Sequence, residues 1–148
     1  MREELENKLY ERYPELFALK DDPSSCMIFG ISCGDGWYNI MLSLCSTLQS
    51  YTNNKRRENP DFQSVKFDQI KEKFGQLRIY TRGYDEATNE MINLAEYLSG
   101  LTCENCGNPG KVRYTGWNTC RCDGCQQKYC EARGIEDEKY EDEEDNDE

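Results

Sequence analysis

Four cysteines near the C-terminal end constrain the fold of this 148-residue chain more than any other feature. Cys103 and Cys106 form one C-x-x-C pair, and Cys122 and Cys125 form a second, with fifteen residues between the pairs. A C-x-x-C turn brings two thiolates to one ion, and two such turns complete a tetrahedron. The spacing therefore predicts a zinc ribbon whose four thiolates leave no open coordination position, which is typical of a structural site. A redox dithiol or a disulfide pair is the alternative interpretation.

Two further cysteines, Cys120 and Cys130, flank this set, and each could replace one of the four ligands. We favour Cys122 over Cys120 because only Cys122 completes the second C-x-x-C pair. Residues 111–119 lie between the pairs and predict a short β-hairpin that carries the second pair back to the first. Residues 126–133 predict a short last helix.

An acidic segment ends the chain. Residues 136–148 hold ten acidic residues and one lysine, so they carry −9 of the total charge of −11. Such a segment buries no apolar surface, and we predict that it is disordered. We therefore divide the chain into an α+β domain at 1–101, a zinc-ribbon module at 102–135 and a disordered acidic tail at 136–148.

The composition also bears on function and location. Histidine is absent, which removes the usual general base and the Ser–His and Cys–His nucleophile systems. The first residues do not form a signal peptide, and no apolar run is long enough to span a membrane. We therefore expect a cytoplasmic protein without membrane association and without catalytic activity.

Hydrophobic periodicity predicts two or three amphipathic helices in the first domain, at residues 2–13, 37–51 and 86–99. Asp35 is a candidate N-cap of the second helix and Asp85 of the third. Residues 26–31 predict a buried strand, and residues 52–63 a polar linker with a basic centre. In the third helix, four side chains are expected to face inward: Met91, Leu94, Ala95 and Leu98.

Residues 64–82 predict an antiparallel β-hairpin, so the fold class is α+β, with a small sheet packed against the helices. A five-residue loop from Lys71 to Gly75 would place Phe67 opposite Ile79 on the core face. The same register would place Asp68 opposite Arg78 on the other face.

Cations and aromatic residues cluster around this hairpin and suit a phosphate and a stacked base. The candidate ligand-binding residues are Lys71, Lys73, Arg78, Tyr80 and Arg82, joined by Trp37 and Asp35. The simpler interpretation is a solvated hairpin face with an Asp68–Arg78 pair. Cys33, just before a helix N-terminus, is the strongest candidate nucleophile, although no histidine is there to assist it.

Three segments together resemble an uncharacterised family of small phage and prophage proteins. They are Cys33-Gly34-Asp35-Gly36-Trp37, the stretch from Ile70 to Tyr80 that reads IKEKFGQLRIY, and the stretch from Cys103 to Gly110 that reads CENCGNPG. The resemblance covers about residues 26–125 and departs at Gln76, where glycine is usual, and at Cys120, where an apolar residue is usual. It implies a phage origin and a zinc-knuckle C-terminus, but no established activity.

This resemblance, with the composition, predicts a phage-encoded counter-defence protein in the cytoplasm of an infected host cell. One version sequesters a small anionic host molecule, such as a nucleotide signal. The alternative is a protein–protein inhibitor or adaptor that binds a host defence protein through the ribbon and the acidic tail. Nucleic acid is not expected as a partner because the tail would repel phosphates. A homo-oligomer is left open.

Overall fold

The computed structural model describes residues 1–137, and these form an α+β fold with a three-stranded and a two-stranded sheet. Within this part of the chain, every helix is too short or too polar to cross a bilayer. The elements are α1 (Glu3–Arg12), β1 (Ile31–Ser32), α2 (Tyr38–Glu58), β2 (Lys66–Lys73), β3 (Gln76–Arg82), α3 (Glu86–Ser99), β4 (Lys111–Arg113), β5 (Thr119–Arg121) and α4 (Asp123–Arg133).

The larger sheet has the order β1-β2-β3, with β1 parallel and β3 antiparallel to β2. The hairpin is where the sequence predicts it, but its register is different. Ile70 lies opposite Ile79, and Phe67 lies opposite Thr81. A bulge at Asp68 shifts the pairing, and only Phe74 and Gly75 connect the strands, instead of a five-residue loop. The predicted register is therefore wrong.

One face of the sheet and the helices α1 and α2 enclose the core. Phe67, Ile70 and Leu77 from the sheet are at most 1% exposed, and Trp37, just before α2, is 0% exposed. Of the predicted buried strand at 26–31, only Ile31, which is 2% exposed, lies in a strand, so most of that prediction is wrong. Residues Cys26–Phe29 form a 3-10 helix whose Phe29 is 76% exposed.

Helix α2 continues through the basic segment that we predicted to be a linker, and it ends at Glu58. The three cations in its last turn, Lys55, Arg56 and Arg57, interact favourably with the helix dipole. Arg56 also pairs with Glu15 and holds the pKa of that carboxyl below its ordinary value, chiefly through a side-chain hydrogen bond.

Helix α3 begins with a capping box, as the sequence predicts for Asp85, whose side chain accepts from the backbone N–H of Thr88. Its core side is formed by Thr88, Ile92, Ala95 and Ser99. Two of the side chains predicted to face inward do not, because Leu94 is 58% and Leu98 is 41% exposed. Gly100 ends the helix, as predicted.

Helix α3 also covers the outer edge of β3. The backbone N–H of Leu77 donates to Ser99 Oγ at 2.8 Å, and that of Ile79 donates to Glu96 Oε1 at 2.8 Å. These contacts satisfy donors that an edge strand would otherwise leave open.

Candidate metal centre

The four cysteines predicted to bind metal converge in the structure. The Sγ atoms of Cys103, Cys106, Cys122 and Cys125 all lie within 4.8 Å of one another, and those of Cys106 and Cys122 are 3.6 Å apart. Tetrahedral coordination with bonds of about 2.3 Å places thiolates about 3.8 Å apart. The donor set and its spacing therefore fit one metal ion.

Local backbone structure positions both pairs. The knuckle at 103–107 is closed by a hydrogen bond from the N–H of Gly107 to the carbonyl of Cys103, at 2.9 Å. The second pair begins α4, where Cys122 is the N-cap. The backbone N–H of Cys125 donates to Cys122 Sγ and lowers the pKa of Cys122 to about 7. This helix start therefore favours the thiolate that a metal requires.

Cys120 and Cys130 lie outside this cluster. Cys120 is 0% exposed, and its thiol donates to the carbonyl of Gly100 at 3.3 Å. Cys130 is 6% exposed and accepts from Gln126 Nε2 at 3.5 Å. Both are therefore small packing residues of the ribbon and not replacement ligands.

The segment at Gly34–Trp37 holds the first knuckle against the α+β domain. The backbone N–H of Gly36 donates to the carbonyl of Glu104 at 2.7 Å, and Trp37 Nε1 donates to that of Thr102 at 2.8 Å. A Cβ atom at Gly36 would lie 2.2 Å from the carbonyl oxygen of Cys103. This position therefore requires glycine, a role that the sequence analysis missed although the glycines around Trp37 indicated a close approach.

A polar network fills the far side of the ribbon. Arg113 and Arg121 are 5% and 6% exposed, and Arg121 lies 3.6 Å from the ring centre of Tyr129. Asp137 Oδ1 accepts from Gln126 Nε2 at 2.7 Å, so the second residue of the predicted tail contacts the ribbon. The rest of the predicted tail, residues 138–148, lies outside the described residues, and its disorder stays a prediction.

Four of the predicted ligand-binding residues share the outer face of the β2–β3 hairpin. Lys71 lies opposite Arg78, and its Nζ is 5.8 Å from the ring centre of Tyr80. Lys73 follows on the same face and is exposed. Arg78 Nη1 lies 4.0 Å from Glu96, and Asp68 contacts Arg82 instead, so the predicted Asp68–Arg78 pair does not form within residues 1–137. The hairpin thus presents three cations beside one tyrosine on an open surface.

The other three predicted residues lie apart from this face or are already occupied. Arg82 contacts Asp68 at 3.1 Å and Asp22 at 3.6 Å. Asp35 accepts from the backbone N–H of Arg2, so it is not the predicted cap of α2. Trp37 is fully buried, and its ring is inaccessible to a stacked base.

Cys33 is also placed unfavourably for nucleophilic chemistry. It is 8% exposed, and burial raises the pKa of its thiol to about 12. The thiolate that a nucleophile needs is therefore disfavoured at neutral pH.

An apolar cleft of about 370 Å³ lies between α2 and α3 and was not predicted from the sequence. The two exposed leucines of α3, Leu94 and Leu98, line it together with Met91. Tyr97 and Leu101, on the neighbouring surface of α3 and just beyond it, are 63% and 50% exposed. The sequence signal was a band of apolar residues on α3 that is too wide for the core to cover.

Comparisons of this chain with protein-family models, curated proteins and solved structures give no match.

Proposed function

We propose that the four-cysteine centre binds one zinc ion and that its role is structural. Four sulfur ligands in a tetrahedron suit zinc, with an iron–sulfur site as the chemical alternative. The cluster also joins two elements that have little apolar packing of their own, the knuckle at 103–107 and the start of α4. An ion there would therefore hold α4 against the α+β domain.

Metal analysis of the purified protein tests this directly. We expect about one zinc per chain, and Cys103→Ser should lose it and unfold at least the ribbon, because binding of structural zinc is coupled to folding. Cys26→Ser is the matched control, since Cys26 is exposed and outside the cluster. Full zinc content in Cys103→Ser, or iron in place of zinc, would contradict the proposal.

We further propose that the protein is a non-catalytic, phage-encoded counter-defence protein that acts by binding a host protein. Protein binding is supported by the apolar surface on α3 and just beyond it, where Leu94, Tyr97, Leu98 and Leu101 are each at least 41% exposed. The phage origin rests on the sequence resemblance alone. A contiguous exposed apolar surface typically marks an interaction site. This surface differs from the interface predicted on the ribbon and the tail, where Arg113 and Arg121 are buried in internal contacts.

Phage plating tests this function. Cells that produce the protein should admit a phage that a bacterial defence system otherwise restricts. Leu94→Glu should abolish this effect because it places a charge in an apolar interface. Asn89→Glu adds the same charge on the exposed side of α3 away from the cleft and should have no effect. If cells that produce Leu94→Glu still admit the restricted phage fully, binding through this surface is contradicted.

Sequestration of a small anion is the second candidate. It is favoured by one observation, the cross-strand pair of like charges formed by Lys71 and Arg78. Like charges opposite each other are unfavourable; Glu96, 4.0 Å from Arg78, offsets part of this repulsion, and a bound anion would offset more of it. Calorimetric titration of nucleotides should then show binding that Lys73→Ala combined with Arg78→Ala removes. Absence of binding by the wild type to any nucleotide would eliminate this candidate.

A further inference from the structure

The cleft between α2 and α3 is long and open at its surface. The two helices run antiparallel, because Tyr51 bonds Asp85 at one end and Trp37 bonds Thr102 at the other. The cleft follows α2 from Asn39 to Thr47, and a separate hollow lies one helical turn further along α2, at Tyr51. At 1.5 Å per residue the path from Asn39 to Tyr51 is about 18 Å long, the length of about three helical turns.

The two walls of the cleft differ in polarity. The α3 wall presents the apolar residues Met91, Leu94, Ala95 and Leu98, whereas the α2 wall mixes the polar residues Asn39, Ser43 and Thr47 with Ile40 and Leu44. A helix with apolar residues at i, i+3 or i+4, and i+7 would pack its apolar stripe on α3. Polar residues beside that stripe would then face hydrogen-bonding groups on α2. The walls therefore match an amphipathic helix.

The main alternative for an interaction with a peptide is addition of a strand to the three-stranded sheet, and both edges of that sheet are obstructed. At β3, the side chains of Ser99 and Glu96 occupy the outward N–H groups of Leu77 and Ile79. At β1, Glu6 Oε1 accepts from the outward N–H of Ile31 at 2.6 Å. The N-terminal amine of this chain donates to the carbonyl of Ile31 at 2.9 Å.

One end of the cleft is acidic. Glu86 and Glu90 border the hollow beside Tyr51, and neither forms an ion pair with any residue of 1–137. Lys55, 5.6 Å from the ring centre of Tyr51, is the nearby cation, and its charge acts on Asp85. The excess of negative charge favours a partner with basic residues at this end.

From these contacts we propose that the cleft binds an amphipathic helix of a partner protein, about three turns long, with lysine or arginine beside Glu86 and Glu90. This inference rests on the proposed protein-binding function and specifies the recognised element. The charges would set the direction in which the partner helix lies and the choice of partner. The contact of its apolar stripe with Met91, Leu94 and Leu98 would supply most of the affinity.

A displayed library of random peptides of about 16 residues, long enough for roughly four turns, is the probe. It is selected on the zinc-loaded full chain after depletion on Leu94→Glu. We expect enriched peptides with helical apolar spacing and basic residues at one end. Since burying a leucine is worth about 1.5–3 kcal/mol, Leu94→Glu should weaken a selected peptide by at least about tenfold. Asn89→Glu should not change its affinity.

Combined Glu86→Lys and Glu90→Lys should weaken the same peptide at low salt and much less at high salt. Failure to enrich any peptide, or enrichment of proline-rich, extended or acidic ones, would overturn the helix inference. If Leu94→Glu no longer admits the restricted phage in the plating assay and no helical peptide is selected, the protein-binding function stands and the helix inference fails. If helical peptides bind but Leu94→Glu still admits the restricted phage, the cleft binds helices and the proposed function fails.

Discussion

The turn between β2 and β3 contains a strained residue. Phe74 and Gly75 both have positive φ, 53° and 85°, which defines a type I′ turn. Asn-Gly is the preferred pair in such turns, because a bulky L residue in the left-handed region is unfavourable. Phe74 is also 69% exposed, so little packing offsets the strain. We predict that Phe74→Asn stabilises the protein.

The expected gain follows from two opposing contributions. The left-handed region costs an ordinary L residue roughly 1–2 kcal/mol, and asparagine adopts it more readily. Removing the ring loses its contact with Lys73, whose Nζ is 5.7 Å from the ring centre. Such a contact at an exposed site is worth about 0.5–1 kcal/mol. The free energy of unfolding should therefore rise by about 0.5–1 kcal/mol, which raises Tm by about 2–3 °C in a chain of this size.

Urea unfolding with zinc in excess is the assay, read as a higher midpoint with an unchanged slope. Phe74→Ala is the matched control, because alanine keeps the unfavourable φ and removes only the ring. It should leave stability unchanged or slightly lower. If Phe74→Asn is no more stable than Phe74→Ala, the backbone is not strained at this position and the reasoning is refuted.

Three other predictions concern packing, pH and the chain end. Gly36→Ala should destabilise by about 1–3 kcal/mol in urea unfolding, because its Cβ would meet a backbone oxygen of the metal knuckle at 2.2 Å; a neutral result would show that the knuckle can move. Arg56 lowers the pKa of Glu15, so this pair stabilises above the ordinary carboxyl pKa of 4.5, and the contribution is lost as pH falls below it. Stability of Glu15→Gln should accordingly fall less steeply in acid than that of the wild type, and identical profiles would refute the linkage. A chain cut after Ile135 should have a free energy of unfolding about 1 kcal/mol below that of a chain cut after Asp137, because the hydrogen bonds to Asp137 are lost. Equal stability in urea unfolding would show that Asp137 does not support the ribbon.

Short-range patterns in the sequence were sufficient for part of this description. The two C-x-x-C pairs specified the four converging thiols, because each pair is a single turn and the intervening hairpin is also local. Asp85 identified the start of α3, because a capping box involves only residues three apart. The α+β class likewise followed from helical and alternating periodicities within single segments.

Long-range contacts decided the rest. The register of β2 and β3 depends on the bulge at Asp68, and a shift of this kind changes the partner of every residue beyond it. Periodicity shows which residues of α3 share a side, but Ala95 and Leu94 belong to neighbouring stripes of one apolar band. The sheet and α2 bury the first stripe but leave Leu94 and Leu98 of the second largely exposed, so the band is wider than the surface available to bury it. The cleft exists for that reason. Trp37 is buried because it packs in the core, where its Nε1 also donates to the carbonyl of Thr102, just before the metal knuckle.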